Sequence, residues 1–133
     1  MELLELSPAL REFVTERHLA VLTTVRADGT PHSVPVGFTV SAVAADALVL
    51  RVITFGPSVK ATNARRGCRA TVTQIDGGRW VTFEGVARVN DEPAAVAFAV
   101  AAYAQRYRQP KERDDRVVIE IEVDRVMCNS RLK

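Results

Sequence analysis

Alternation of apolar and polar residues with a period of two runs through most of this chain and predicts strands. His32, Val34, Val36, Phe38 and Val40 fall on one face of a stretch from Pro31 to Val40. Near the C-terminus Val117, Ile119, Ile121 and Val123 alternate with Glu120, Glu122 and Asp124. Read this way, the chain holds six strands, at residues 18–26, 31–40, 48–54, 68–75, 80–90 and 116–126. The signals Ala27-Asp28-Gly29-Thr30 and Asp76-Gly77-Gly78 close two of them into hairpins. Three segments break the alternation. Ser7-Pro8 opens a helix with Leu10, Phe13 and Val14 on one face, running to about Arg17. Residues 58–66 form a short helix that Gly67 ends. Residues 91–107 form a third helix, opened by Pro93, with a stripe at Val96, Val100, Tyr103 and Tyr107. Residues 42–46 and 109–116 read as loops. Six hairpin-linked strands with few helices predict a mainly β fold, a small six-stranded antiparallel barrel.

Composition narrows the function classes. At 133 residues the chain is one domain, 1–133. No apolar run approaches a membrane span. The start MELLELSPAL is acidic where a signal peptide would be basic, so a cytoplasmic protein is expected. Cys68 and Cys128 sit in unrelated contexts and read as free thiols. The net charge is only +2, yet residues 51–79 hold six basic residues (Arg51, Lys60, Arg65, Arg66, Arg69, Arg79) against the single acid Asp76. A local basic patch on a near-neutral protein suits an anionic small molecule better than nucleic acid.

The most informative stretch is LVLRVITFGPSVKATN, Leu48 to Asn63. It reads as a strand carrying Arg51, a Gly-Pro turn and a helix start with Lys60 in its first turn. A cation there opposes the helix dipole unless an anion is bound. Lysine is scarce, three against fifteen arginines. A phosphate-bearing ligand and a solvated surface lysine both fit this stretch alone. In the second strand Pro35 donates no ladder bond and Gly37 has no side chain. Ser33-Val34-Pro35-Val36 is then either a wall for a flat ring or an ordinary edge strand. Trp80 falls on the polar face of its strand with Thr82, Glu84 and Arg88, as a ligand contact, a subunit interface or a rim residue. Arg79 beside it would hold an anion or be a solvated turn residue. Arg106 reads first as a cation at a helix C-terminus and second as a substrate contact. His18 and His32 show no metal-ligand spacing, so no metal is expected. Nothing resembles a nucleophile elbow, a P-loop or a dinucleotide turn. A phosphate cradle, a backbone wall and an aromatic without an acid–base set suit chemistry carried by a cofactor.

The order strand–DG–strand–strand–Ser-x-Lys-x-x-Asn–helix, then Arg79-Trp80-Val81 leading into Glu84-Gly85, resembles the pyridoxamine-phosphate-oxidase-like split β-barrels. Ser58-Val59-Lys60-Ala61-Thr62-Asn63 and Ala104-Gln105-Arg106-Tyr107-Arg108 are most similar to the branch that uses the deazaflavin coenzyme F420, and within it to the F420-dependent biliverdin reductases. The resemblance implies a homodimer with cofactor at its interface and biliverdin as the small-molecule acceptor. It implies that Thr54, Ser58, Lys60 and Asn63, with Ala61 in the same motif, surround the cofactor phosphate. Ser33, Val34, Pro35 and Val36 would line the deazaflavin ring, Trp80 would arrive from the other subunit with Arg79 nearby, and Arg51 would help hold the phosphate or the acidic tail. Arg79 and Arg106 would be candidates for the acceptor's propionates. FMN is the alternative cofactor, and the alternative functions are an FMN-dependent oxidoreductase of this family or a non-enzymatic flavin- or tetrapyrrole-binding protein. Val59 stands where FMN oxidases of this family commonly carry Arg, Trp80 where they often carry Gln, and the C-terminus Asn129-Ser130-Arg131-Leu132-Lys133 lacks their extended tail. These departures favour an F420 reductase.

Overall fold

The structure, a computed structural model, describes residues 6–44 and 47–133. Seven strands form one antiparallel sheet: β1 (Ala20–Val25), β2 (Pro31–Val36), β3 (Thr39–Ala44), β4 (Ala47–Phe55), β5 (Arg69–Asp76), β6 (Arg79–Asn90) and β7 (Arg116–Cys128). Three helices accompany them: α1 (Pro8–Phe13), α2 (Val59–Arg65) and α3 (Pro93–Arg106). The mainly β expectation holds, with one strand more. The expected strand 31–40 is two, parted at Gly37-Phe38, and β3 continues to Ala44 where a loop was expected. Ala45 and Asp46, the rest of that loop, and Met1 to Glu5 lie outside the described residues.

The strand order is β2-β1-β5-β6-β7-β4-β3. Consecutive strands β2 and β3 therefore sit on opposite edges of the sheet. Only Gly37 and Phe38 join them, and three Cα steps span at most about 11 Å. The sheet must curl until its edges nearly meet, yet they do not pair, and a slit remains. Packing dictates the break. A Cβ on Gly37 would lie 2.9 Å from ring carbons of both Tyr103 and Tyr107, so only glycine lets α3 press on the crossing. Phe38 then points fully into the core, edge-to-face with Phe83 at 6.0 Å.

The core fills the curl with inward residues of six strands, Leu22, Val36, Leu50, Val52, Val72, Val81, Phe83, Ile119 and Ile121, and Val40 of β3 packs against it. Helices close its two ends. Ser7 caps α1, its Oγ accepting from the Leu10 amide, and Pro8 follows, as the sequence predicts. Leu10 and Phe13 of α1 plug one end. Ser58 caps α2, its Oγ accepting from the Ala61 amide, and Ala64 plugs the other end. Gly67 ends α2 at φ +70°, a conformation that favours glycine. Among the described residues no helix is long and apolar enough to cross a membrane.

Candidate functional site

At the α2 end, Thr54, Ser58 and Asn63 are buried. The Thr54 hydroxyl donates to Ser58 Oγ at 3.0 Å. Asn63 Nδ2 donates to Thr24 Oγ1 at 3.0 Å and so fixes α2 to β1. Asn63 Oδ1 accepts from Arg66 at 2.7 Å. Ala61 is fully buried beneath this group. Lys60 differs from them. It is half-buried, makes no ion pair among the described residues, and burial alone pushes its ammonium below the ordinary lysine pKa. A desolvated cation without a counter-charge is stabilised by any anion that reaches it. Arg51 stands on β4 with the opposite facing from Thr54, since Leu48, Leu50 and Val52 share Thr54's inward parity. Its guanidinium lies 4.7 Å over the Phe98 ring and donates to Ser41 Oγ.

The residues expected to form a wall, Ser33 to Val36, lie on the edge strand β2. The Arg26 amide donates to the Thr30 carbonyl at 2.8 Å, which sets the hydrogen-bonding pairs of the hairpin. Antiparallel alternation then directs the main-chain groups of His32, Val34 and Val36 into the sheet, and those of Pro31, Ser33 and Pro35 to the free side. The two prolines have no N–H to leave unpaired there, and Arg26 Nη1 takes the Pro31 carbonyl at 2.6 Å. The Ser33 N–H and the carbonyls of Ser33 and Pro35 remain facing the slit. This short row of one donor and two acceptors discourages strand addition and suits the polar edge of a ring. Val34 and Val36 meanwhile point inward.

The α1 end holds the other predicted residues, and it holds them firmly. Arg79 donates to both oxygens of Glu16 (3.0 and 2.9 Å) and to Asp76 at 2.5 Å, with its guanidinium 4.5 Å over the Phe13 ring. Glu16 is held at a pKa of about 2 by its hydrogen bonds to Arg79 and His18. His18 Nε2 lies 2.9 Å from Glu16 and 3.7 Å from Asp76. Folding thus gathers Glu16, His18 and Asp76 into a potential cation site that sequence spacing did not reveal, and Arg79 is the cation that lies against its carboxylates. Arg106 is a clamp. Its Nε donates to the Glu16 carbonyl (2.9 Å), Nη1 to the Phe38 carbonyl (2.5 Å) and Nη2 to Gln74 Oε1 (2.6 Å). Burial lowers its pKa, and the rings of Phe38 and Tyr107 flank it. Trp80 is exposed on the outer sheet face beside Ile75, as its alternation predicts.

The predicted residues therefore fall into two groups. Thr54, Ser58, Lys60, Ala61 and Asn63 cluster near Thr24, while Arg79, Trp80 and Arg106 lie at the end marked by Ala20 and Gln74. Four residues of β1 separate these ends, about 13 Å. Trp80 is also three strands from β2, about 14 Å across the sheet. Sequence reasoning set His32 aside once no metal-ligand spacing was found. It shares the inward face of β2 opposite Thr24, and its Nδ1 is the one buried side-chain polar atom without a partner among the described residues. A histidine heading an otherwise valine stripe was the available signal.

A curled antiparallel sheet with parted edges is a split β-barrel. The chain belongs to the pyridoxamine 5'-phosphate oxidase family, whose pattern matches residues 6–128. An F420H(2)-dependent biliverdin reductase of Mycobacterium tuberculosis is 49% identical over 120 residues, covering 90% of this chain and 85% of that protein. The crystal structure of a conserved hypothetical protein from the same species superposes with a TM-score of 0.75 at 27% identity, covering 96% of this chain and 87% of that one. A structure described as an F420 reductase superposes with a TM-score of 0.70 at 22% identity, covering 88% and 94%, and shares the fold.

Proposed function

We propose that this protein is an F420-dependent oxidoreductase that reduces biliverdin or a closely similar conjugated acceptor, and that it works as a homodimer. The 49% identity to an F420H(2)-dependent biliverdin reductase across nine tenths of the chain carries this reading. The residues present fit the coenzyme. Lys60 offers an uncompensated cation for its phosphate, beside Ser58 and Thr54. The Ser33 N–H and the Ser33 and Pro35 carbonyls offer a donor and acceptors for the polar edge of the deazaflavin. When bound, reduced F420 supplies the hydride. The chain's own part is to hold the coenzyme along β2 and leave one ring face open for the acceptor.

Two observations support a dimer. Pro35, Val21, Thr73, Thr82 and Met127 form a row across the outer faces of β2, β1, β5, β6 and β7. Val21 and Met127 of that uncharged row are exposed, as are Ile75 and Trp80, which pair with each other on the same outer face, an apolar sheet face that suits a second copy. Trp80 is three strands from the β2 edge of its own chain, so in this reading the Trp80 that lines the ring comes from the partner. The decisive assay mixes the protein with reduced F420 and biliverdin. Oxidation of F420 coupled to loss of biliverdin absorbance is expected. Absence of F420 oxidation with biliverdin and with quinone-like acceptors overturns the reading.

A further inference from the structure

Biliverdin carries two propionates, and the two arginines that sequence reasoning offered for them are engaged. Arg79 pairs with Glu16 and Asp76, and each nitrogen of Arg106 donates to the protein. A cleft of about 290 Å³ opens beside them, lined by Arg17, His18, Leu19, Tyr103, Tyr107 and Arg108. No carboxylate lines it, and neither Arg17 nor Arg108 forms an ion pair among the described residues. Arg17 donates only through one Nη, to the Tyr107 carbonyl, which orients the rest of its guanidinium. Arg108 is exposed and makes no side-chain hydrogen bond among the described residues. The Tyr103 and Tyr107 ring centroids lie 4.9 Å apart with their planes tilted by 35°, and Tyr107 is fixed by its hydroxyl, which donates to the His18 carbonyl at 2.7 Å.

The position of this cleft gives it meaning. Tyr103 and Tyr107 rest on Gly37, directly after Val36. Leu19 precedes Ala20, the partner of Val36. The cleft therefore lies at the Val36 end of the β2 wall, and the Lys60 group lies toward the His32 end. A coenzyme with its phosphate at Lys60 and its ring along Ser33 to Val36 points its far side at the cleft.

We propose that Arg17 and Arg108 form the carboxylate subsite for the acceptor, with Leu19 and Tyr103 as the apolar surface against which its conjugated system lies. This rests on the reading above that the acceptor is a carboxylated conjugated molecule. Two guanidiniums without competing acids bind carboxylates through paired N–H donors, which lysine reproduces only as a point charge.

The test titrates biliverdin, and separately its dimethyl ester, into the protein without cofactor, followed by absorbance. Arg108→Ala is expected to weaken biliverdin binding roughly tenfold, the worth of one charge-assisted bond, and to leave the ester unaffected. Arg108→Lys should recover part of the loss, and Arg17→Ala should add to it. Because Arg108 is exposed and unbonded, its variants retain the fold, and unchanged F420 affinity verifies this. Unchanged biliverdin affinity in Arg108→Ala and Arg17→Ala, or equal losses for biliverdin and its ester, overturns the subsite. A wild-type protein that binds no F420 overturns the coenzyme reading alone, because the tetrapyrrole titrations contain none.

Discussion

Replacing Arg106 by alanine separates a clamp from a substrate contact. The substitution removes three hydrogen bonds from one cationic group, to the Glu16 and Phe38 carbonyls and to Gln74 Oε1. Gln74 is fully buried, as is Phe38, so their acceptors lose their partner where water does not readily replace it. A hydrogen bond from a charged donor nets about 1.5–3 kcal/mol, and an unpaired buried acceptor costs about 1–3 kcal/mol. The three share one guanidinium and do not add, which places the loss at about 3–5 kcal/mol. Equilibrium urea unfolding at fixed protein concentration, read by Trp80 fluorescence, measures it. With a slope of about 1.5 kcal/mol/M the midpoint falls by about 2–3 M. A loss below about 1 kcal/mol, accompanied by a raised KM for biliverdin, would refute the clamp and return Arg106 to the substrate.

Gly37→Ala should destabilise by about 1–3 kcal/mol in thermal unfolding, because the new methyl meets two tyrosine rings at 2.9 Å; an unchanged melting temperature contradicts the close packing at the crossing. Glu16 ionises at about 2 in the fold against an ordinary 4.5, so its contribution to stability is present above pH 4.5 and fades as pH falls toward 2. The difference in urea midpoint between wild type and Glu16→Gln should therefore shrink across that window, and a constant difference argues against the Arg79 pairing. Val21→Glu places a charge on the exposed outer sheet face and should give a monomer by light scattering with much weaker F420 binding. A variant that stays dimeric moves the interface elsewhere.

Much of the fold was legible because it rests on local signals. Period-two alternation located the strands, Ser7-Pro8 and Ser58 marked two helix starts, and Gly67 ended the second. The break at Gly37-Phe38 was not legible, since it depends on two tyrosines some seventy positions away pressing on a glycine. An alternating stretch carries the same pattern whether it stays in one strand or crosses between two sheet edges. Side-chain roles divided in the same way. Lys60 stood out through scarcity and position, both local. The roles of Arg79 and Arg106 depend on Glu16, Gln74 and Phe38, distant in sequence, so their engagement within the protein emerges only in the folded chain. Arg17 and Arg108 were hidden for a related reason: what sets them apart is that both line one cleft, which exists only in the folded chain.

The central claim is that Lys60 anchors the phosphate of a deazaflavin coenzyme. Fluorescence titration of F420 and FMN into wild type and Lys60→Ala tests it most directly. Wild type should bind F420 more tightly than FMN, and Lys60→Ala should lose roughly tenfold or more in F420 affinity, the worth of a charge-assisted contact to phosphate. Tighter binding of FMN than of F420, or F420 affinity indifferent to Lys60, would contradict the account.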